Sequence, residues 1–327
     1  MAKELVIGAF ADEAGATLDE QIDAMLANGV RHLEVRNMDG RNFIDHTVAE
    51  AKAIREKLDA NGLRVWSIGS PLGKIKITDP MEPHLDRLKY TLELAQVMGS
   101  ERIRMFSFYM PQGEDPAQYR DEVMERLSRM LETAKGSGVV LCHENEKGIY
   151  GDIASRCDDI LRTLPEMGGI FDPANFIQCG QDTLEAWKLL GDRIDYMHIK
   201  DCIAGGKVVP CGKGIGHVPE IIAAFRAAGG WQVTLEPHLT VFKGFADLEN
   251  EGAKTEMDEY AYPSQRAAFD AAIAALREAA KECPERRIRI CGDMFAPFLS
   301  VVRVLDACQA ESLNVVGILT AQGAGRK

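Results

Sequence analysis

Val139-Val140-Leu141-Cys142-His143-Glu144-Asn145 is an apolar run that stops abruptly at a cluster of polar and ionisable side chains. Three later stretches repeat its design: Gly169-Ile170-Phe171-Asp172, Ile194-Asp195-Tyr196-Met197-His198 and Trp231-Gln232-Val233-Thr234-Leu235-Glu236. Each is a short β-like run closing on one side chain able to ligate a metal: Glu144, Asp172, His198 and Glu236. A buried parallel strand reads as a near-continuous apolar run, and (β/α)8 barrels carry their chemistry at the C-terminal strand ends. Four such ends, offering three carboxylates and an imidazole, read as one site.

Upstream of these strands the same alternation holds. Leu5–Phe10, His32–Arg36, Leu63–Ile68 and Arg102–Phe108 read as strands one to four. Thr17-Leu18-Asp19-Glu20 and Thr47-Val48-Ala49-Glu50 are capping boxes that open the first two helices, which close at Asn28-Gly29 and Asn61-Gly62. Further helices are expected over Pro80–Met98, Pro116–Lys135, Ser155–Leu164, Asp182–Leu190, Val218–Ala228 and Ser264–Lys281. Strands alternating with helices at intervals of roughly 27 to 40 residues imply right-handed parallel βαβ units. Eight such units match a closed TIM barrel in size. An open doubly wound sheet would want a glycine-rich phosphate turn after strand one, and Gly8-Ala9-Phe10-Ala11-Asp12 is not one.

The expected organisation is a (β/α)8 barrel over residues 1–282 and a short C-terminal βαβ-like extension over 283–327. In the extension, Arg287–Ile290 and Asn314–Leu319 look like strands around a helix at 297–309. A piece this small cannot bury a core alone, and a closed barrel has no free edge to pair with. The extension is therefore expected to pack on the barrel's outside or to pair with another chain, which makes a homo-oligomer one expected assembly.

The 327 residues carry 50 acidic against 38 basic side chains, a formal net charge of −12. That balance argues against a nucleic-acid backbone as partner, because neutralising phosphates needs clustered Lys and Arg. Met1-Ala2-Lys3-Glu4 runs straight into a strand without a secretory leader, and no apolar run is long enough to span a membrane. The eight cysteines are scattered and form no Cys-x-x-Cys pair, which fits reduced thiols in the cytoplasm.

Hard carboxylates with one imidazole suit a single divalent cation, Mn²⁺, Mg²⁺, Co²⁺ or Zn²⁺, and no thiolate is present to select a softer ion. The four motifs His143-Glu144-Asn145, Phe171-Asp172-Pro173-Ala174-Asn175, Met197-His198-Ile199-Lys200-Asp201 and Leu235-Glu236-Pro237-His238 resemble the strand ends of the sugar phosphate isomerase/epimerase group. These are the xylose isomerase-like TIM barrels, which include ketose 3-epimerases, hydroxypyruvate isomerase and inosose dehydratase. The resemblance spans about residues 4–280. It implies that Glu144, Asp172, His198 and Glu236 hold one divalent cation and that Glu144 and Glu236 take and return a substrate proton. Endonuclease IV shares the barrel, but it needs further histidines on strands three and four, where Trp66-Ser67-Ile68 and Arg104-Met105-Phe106-Ser107 offer none. The extension is similar, over Arg289–Asp293 and Val301–Ala307, to the C-terminal part of the ExbD/TolR periplasmic domain; no transport function follows.

Glu34, Arg36, Ser70, Lys74, Arg104, Asn175, Lys200 and His238 lie at or near strand ends and are the candidate contacts to a sugar or sugar phosphate, with Glu146 beside them. Asn175 stands three residues after Asp172, where several relatives carry a His. His143 adjoins Glu144, so strand alternation turns it the other way. Cys211-Gly212-Lys213-Gly214-Ile215-Gly216-His217 is a glycine-rich loop after strand seven. The expected activity is metal-dependent isomerisation or epimerisation of a ketose, keto-polyol or sugar phosphate. Dehydration by the same glutamates, and sugar binding without turnover, are the alternatives.

Overall fold

A computed structural model describes residues 4–239, 241 and 260–281, together with the backbone of 287–293 and 315–321. Eight parallel strands close into a barrel in chain order: β1 (Val6–Ala9), β2 (His32–Val35), β3 (Arg64–Ile68), β4 (Arg102–Met105), β5 (Val140–Glu144), β6 (Gly168–Phe171), β7 (Ile194–Ile199) and β8 (Gln232–Leu235). Closure comes from β1 lying beside β8, with Val6 opposite Gln232 and Ala9 opposite Leu235. This is the expected (β/α)8 fold.

The helices begin where the side chains can satisfy free backbone N–H groups. In α1 (Leu18–Ala27) the Glu20 amide donates to Thr17 Oγ1 at 3.3 Å, and the Thr17 amide donates back to Glu20 Oε2 at 2.9 Å. In α2 (Val48–Ala60) Thr47 and Glu50 make the same reciprocal pair. Each such cap contributes about 1 kcal/mol to its helix. The α3 helix (Glu82–Met98) ends at Gly99, whose φ of +65° suits glycine. The remaining outer helices are α4 (Arg120–Ala134), α5 (Ala154–Thr163), α7 (Thr183–Leu190), α8 (Val218–Ala227) and α9 (Gln265–Ala279). Their inward faces, such as Leu85, Leu88 and Leu92 of α3 and Ile221, Ile222 and Phe225 of α8, join one core around the barrel wall.

Three features were not expected. A short helix, α6 (Pro173–Gln178), follows β6 directly. Two small antiparallel ribbons pair Asn37–Met38 with Arg41–Asn42 and Asp201–Cys202 with Val208–Val209. The second ribbon leads into the glycine-rich loop, which is gathered around one buried carboxylate. Asp201 accepts from the amides of Cys202, Gly212, Gly214 and Gly216 at 2.9–3.0 Å. A Cβ on Gly214 would stand 2.3 Å from Asp201 Oδ1, so the close approach requires glycine there.

The chain divides into two compact units, 1–280 and 281–327. In the second, β9 (Arg287–Asp293) and β10 (Val315–Ala321) pair parallel over seven positions. The helix expected at 297–309 lies outside the described residues.

Candidate metal and active site

Strand geometry brings the four widely spaced ligands together. Glu144 ends β5, Asp172 caps α6 just past β6, His198 lies near the end of β7, and Glu236 follows β8. All four are buried, and one ligand atom from each lies within 4.8 Å of the others. His198 Nδ1 stands 2.7 Å from Glu144 Oε1 and 3.8 Å from Glu236 Oε2.

Cationic side chains compensate this cluster. Lys200 Nζ sits 2.9 Å from Asp172 Oδ2 and 3.2 Å from Glu236 Oε2. Arg36 reaches Glu236 Oε1 at 2.9 Å and also holds Asp12 and Glu13. Arg104 approaches Glu144 Oε2 at 3.4 Å. Beyond Glu236, His238 bridges to Glu13, with Nε2 3.3 Å from Glu236 Oε1 and Nδ1 2.7 Å from Glu13 Oε1. Glu13, Glu236 and His238 thus form a second acidic group, already occupied by the Arg36 guanidinium.

The electrostatics follow from burial working against these partners. Burial would lift Glu144, but His198 and Arg104 outweigh it and bring its carboxyl to about 2. Glu236 is likewise held well below its ordinary value by Lys200, His238, His198 and Arg36 against burial. Asp172 is raised to about 6, because burial and the two glutamates exceed the pull of Lys200. Burial would depress His198, yet Glu144 and Glu34 hold it up at about 10. Both glutamates are therefore carboxylates at neutral pH.

A divalent cation fits these residues. The donor set is three carboxylates and one imidazole, converging within one coordination sphere. Asp172 Oδ2 is fully buried and, among the described residues, accepts no hydrogen bond of good geometry and has its ion pair with Lys200 as its one polar contact. A buried carboxylate oxygen in that state is a ready ligand.

Two members of the quartet, Glu144 and Glu236, line a cavity of about 200 Å³. Six of the eight expected substrate contacts line it: Arg36, Lys74, Arg104, Asn175, Lys200 and His238. Lys74 is paired with Glu146 at 2.8 Å. Asn175 donates from its backbone to Asp172 Oδ1 at 3.0 Å and from its side chain to the Asn145 carbonyl at 2.9 Å. It therefore braces the turn that presents Asp172.

Two expected contacts are placed elsewhere. Ser70 is fully buried and donates to the Arg104 carbonyl at 2.6 Å, fastening the β3 loop to β4. Glu34 is 1% exposed and lies behind His198, 3.0 Å from its Nε2. Neither lines the cavity: Glu34 is turned inward on β2 behind His198, and Ser70 is held inward by its bond to the Arg104 carbonyl. His143 does point away from the quartet, as alternation requires, and its Nε2 meets Ser107 Oγ at 2.9 Å.

Gln178 lines the cavity without having been expected. It ends α6, and its side chain donates to the Gly206 carbonyl at the tip of the second ribbon at 3.1 Å. The signal was present in Asp172-Pro173, an N-cap followed by proline at the first helical position.

Among solved structures, the zinc-bound IOLI protein superposes with a TM-score of 0.63 at 14% identity, covering 84% of this chain and 98% of that one. A probable 3-DHS dehydratase, AsbF from Bacillus anthracis, gives 0.63 at 16% identity over 84% and 98%. An L-ribulose 3-epimerase gives 0.62 at 16% identity over 85% and 94%. At these identities the likeness is one of fold. Comparison with curated proteins gives no match. The sequence profile of the family described as xylose isomerase-like TIM barrel matches residues 22–260, well over half of the chain. The chain thus belongs to the xylose isomerase-like TIM barrel family.

Proposed function

We propose that this protein is a divalent-metal-dependent isomerase or epimerase of a ketose, keto-polyol or sugar phosphate, with Glu144 and Glu236 exchanging the substrate proton. The observation that carries this reading is the placement of two ionised, buried glutamates from separate strands on one small polar cavity, within a four-ligand cluster. The family and the sugar epimerase and zinc-bound neighbours support it.

Glu144, Asp172, His198 and Glu236 would hold the cation. Bound there, it supplies Lewis-acid polarisation of a substrate carbonyl, which lowers the cost of removing the adjacent proton. The protein's own part is acid–base chemistry and positioning. Starting from two carboxylates, one glutamate accepts the α-proton; the other takes up a proton from solvent and delivers it to the same carbon or its neighbour, and the first then releases its proton to solvent. Arg36, Arg104 and Lys200 keep both carboxylates ionised and orient substrate hydroxyls. The cavity is smaller than the ~300–1,000 Å³ of drug-sized sites and is walled by charged groups, which favours a small, polar ligand.

A dehydration reading also has an observation in its favour. His238 lines the cavity, and although burial lowers its pKa, Glu13 and Glu236 raise it above the ordinary histidine value. An imidazolium there can protonate a leaving hydroxyl after abstraction by a glutamate. The free thiols of Cys142, Cys157, Cys179, Cys202 and Cys211 fit a reducing compartment, so a cytoplasmic location is proposed.

The test is metal analysis of the purified protein beside the Glu144→Gln/Glu236→Gln double variant. About one divalent cation per chain, lost in the variant, is expected for a four-ligand site. Ketoses and inososes are then screened in D₂O. Solvent deuterium at the α-carbon supports isomerase chemistry, and release of water supports dehydration. A wild type that takes up no metal after supplementation would overturn both.

A further inference from the structure

Glu34 has both carboxylate oxygens committed. Oε2 faces His198 Nε2 at 3.0 Å, while Oε1 accepts from the hydroxyls of Tyr196 at 2.9 Å and Ser67 at 3.2 Å. The two hydroxyls also meet each other at 3.1 Å. These groups come from β2, β3 and β7, and Glu34, Ser67, Tyr196 and His198 are each at most 1% exposed. Together they make a closed polar layer directly behind the ligand quartet. Phe10 closes another side of the imidazole, its ring edge-on at 5.1 Å.

The two imidazole nitrogens therefore face different worlds. Both face carboxylates, but different ones: Nε2 faces Glu34, which lies outside the quartet, while Nδ1 faces Glu144 and Glu236, the other members of the quartet. A cation held there would replace the Nδ1 proton and leave the Nε2 proton directed at Glu34. We propose that Glu34 is the positioning residue of the candidate metal centre. It would keep the proton of metal-bound His198 on Nε2 and leave the Nδ1 lone pair for the cation. Tyr196 and Ser67 fix the carboxylate that does this. A hydrogen-bonded carboxylate also raises the basicity of the ligating nitrogen, and such partners typically change metal affinity by about 10–100-fold. This inference rests on reading the quartet as a cation site.

The experiment is Zn²⁺ titration of the full-length, metal-stripped protein against a chromophoric chelator, for wild type, Glu34→Gln, Glu34→Asp, Tyr196→Phe and Ser67→Ala. Glu34→Gln is expected to weaken Zn²⁺ binding by about 10–100-fold, with Glu34→Asp recovering part of the loss. Tyr196→Phe, which keeps the ring and removes one donor to Glu34, is expected to weaken it by a few-fold. In the ¹⁵N spectrum of the Zn²⁺-loaded wild type, His198 is expected to show a slowly exchanging proton on Nε2. A Glu34→Gln affinity within about two-fold of wild type overturns the assignment. So does a His198 that carries its proton on Nδ1. If Glu34→Gln does not fold, an unchanged affinity in Tyr196→Phe and Ser67→Ala overturns it as well. A wild type that binds no Zn²⁺ refutes the quartet reading itself, a result separate from all of these.

Discussion

Replacing Lys200 by methionine tests how the quartet is held together without metal. Lys200 is 6% exposed, and its ammonium is the closest cation to Asp172 and one of four cationic groups on Glu236. Removing one partner of a buried ion pair costs about 3–5 kcal/mol, because the other charge is left uncompensated. Asp172 limits that cost. Its carboxyl is already lifted to about 6 by burial and the neighbouring glutamates, so losing Lys200 lets it take up a proton near neutrality. The destabilisation should therefore be larger at pH 8, where the proton must be drawn from a scarcer supply, than at pH 6. At about 2–4 °C per kcal/mol for a domain of this size, the metal-free variant should melt on the order of 10 °C below wild type at pH 8. A dication placed among the same carboxylates supplies the missing charge, so Zn²⁺ should return most of the loss. Melting curves with chelator and with Zn²⁺, at both pH values, measure all of this. A metal-free Lys200→Met that melts within about 2 °C of wild type at pH 8 would refute the reasoning, because it would mean that Lys200 does not compensate the cluster.

Two further outcomes concern the loops around the site. His84 Nε2 accepts from the Gly73 amide at 2.8 Å, which requires a neutral ring; burial, then Arg87 and Arg126, lower its pKa from 6.5 to about 4. Between those values the unfolded chain binds the extra proton, so stability falls as pH drops from about 6.5 towards 4, by roughly 2–3 kcal/mol. Urea unfolding across that range should show this slope flattened in His84→Gln, and an unchanged slope would discard the assignment. Asp201→Asn exchanges one carboxylate oxygen for an amide that faces two backbone donors. Losing two charge-assisted bonds should cost about 3–5 kcal/mol and speed amide exchange at Gly212 and Gly214; full protection there would contradict the role given to Asp201.

Much of the barrel was legible because its signals are local. Capping boxes at Thr17 and Thr47 satisfy backbone groups three residues away, and apolar runs such as Val139–Cys142 report burial from their own composition. The quartet was readable for the same reason: each ligand closes its own strand, and a parallel barrel gathers strand ends by construction. The small helix α6 is announced by Asp172-Pro173, but a strand-ending Asp reads equally well as a ligand, and here one side chain serves both purposes.

What the chain's local pattern could not decide was direction and partnership. Glu34 and Arg36 are two residues apart at the end of one strand, yet Glu34 turns behind His198 and Arg36 reaches the cavity. The β2–β3 register shifts between Leu33 and Glu34, and no count along β2 alone contains that irregularity. Lys200 lying against Asp172 and Glu236, and Tyr196 against Glu34, joins positions up to 162 residues apart. Those contacts exist only once β8 has closed on β1 and the strand registers are set. The sequence alone therefore determined which side chains stand at the mouth of the barrel, since that depends on local periodicity. Only the tertiary structure decided which of them face the ligand and which hold the others in place, since that depends on packing between distant strands.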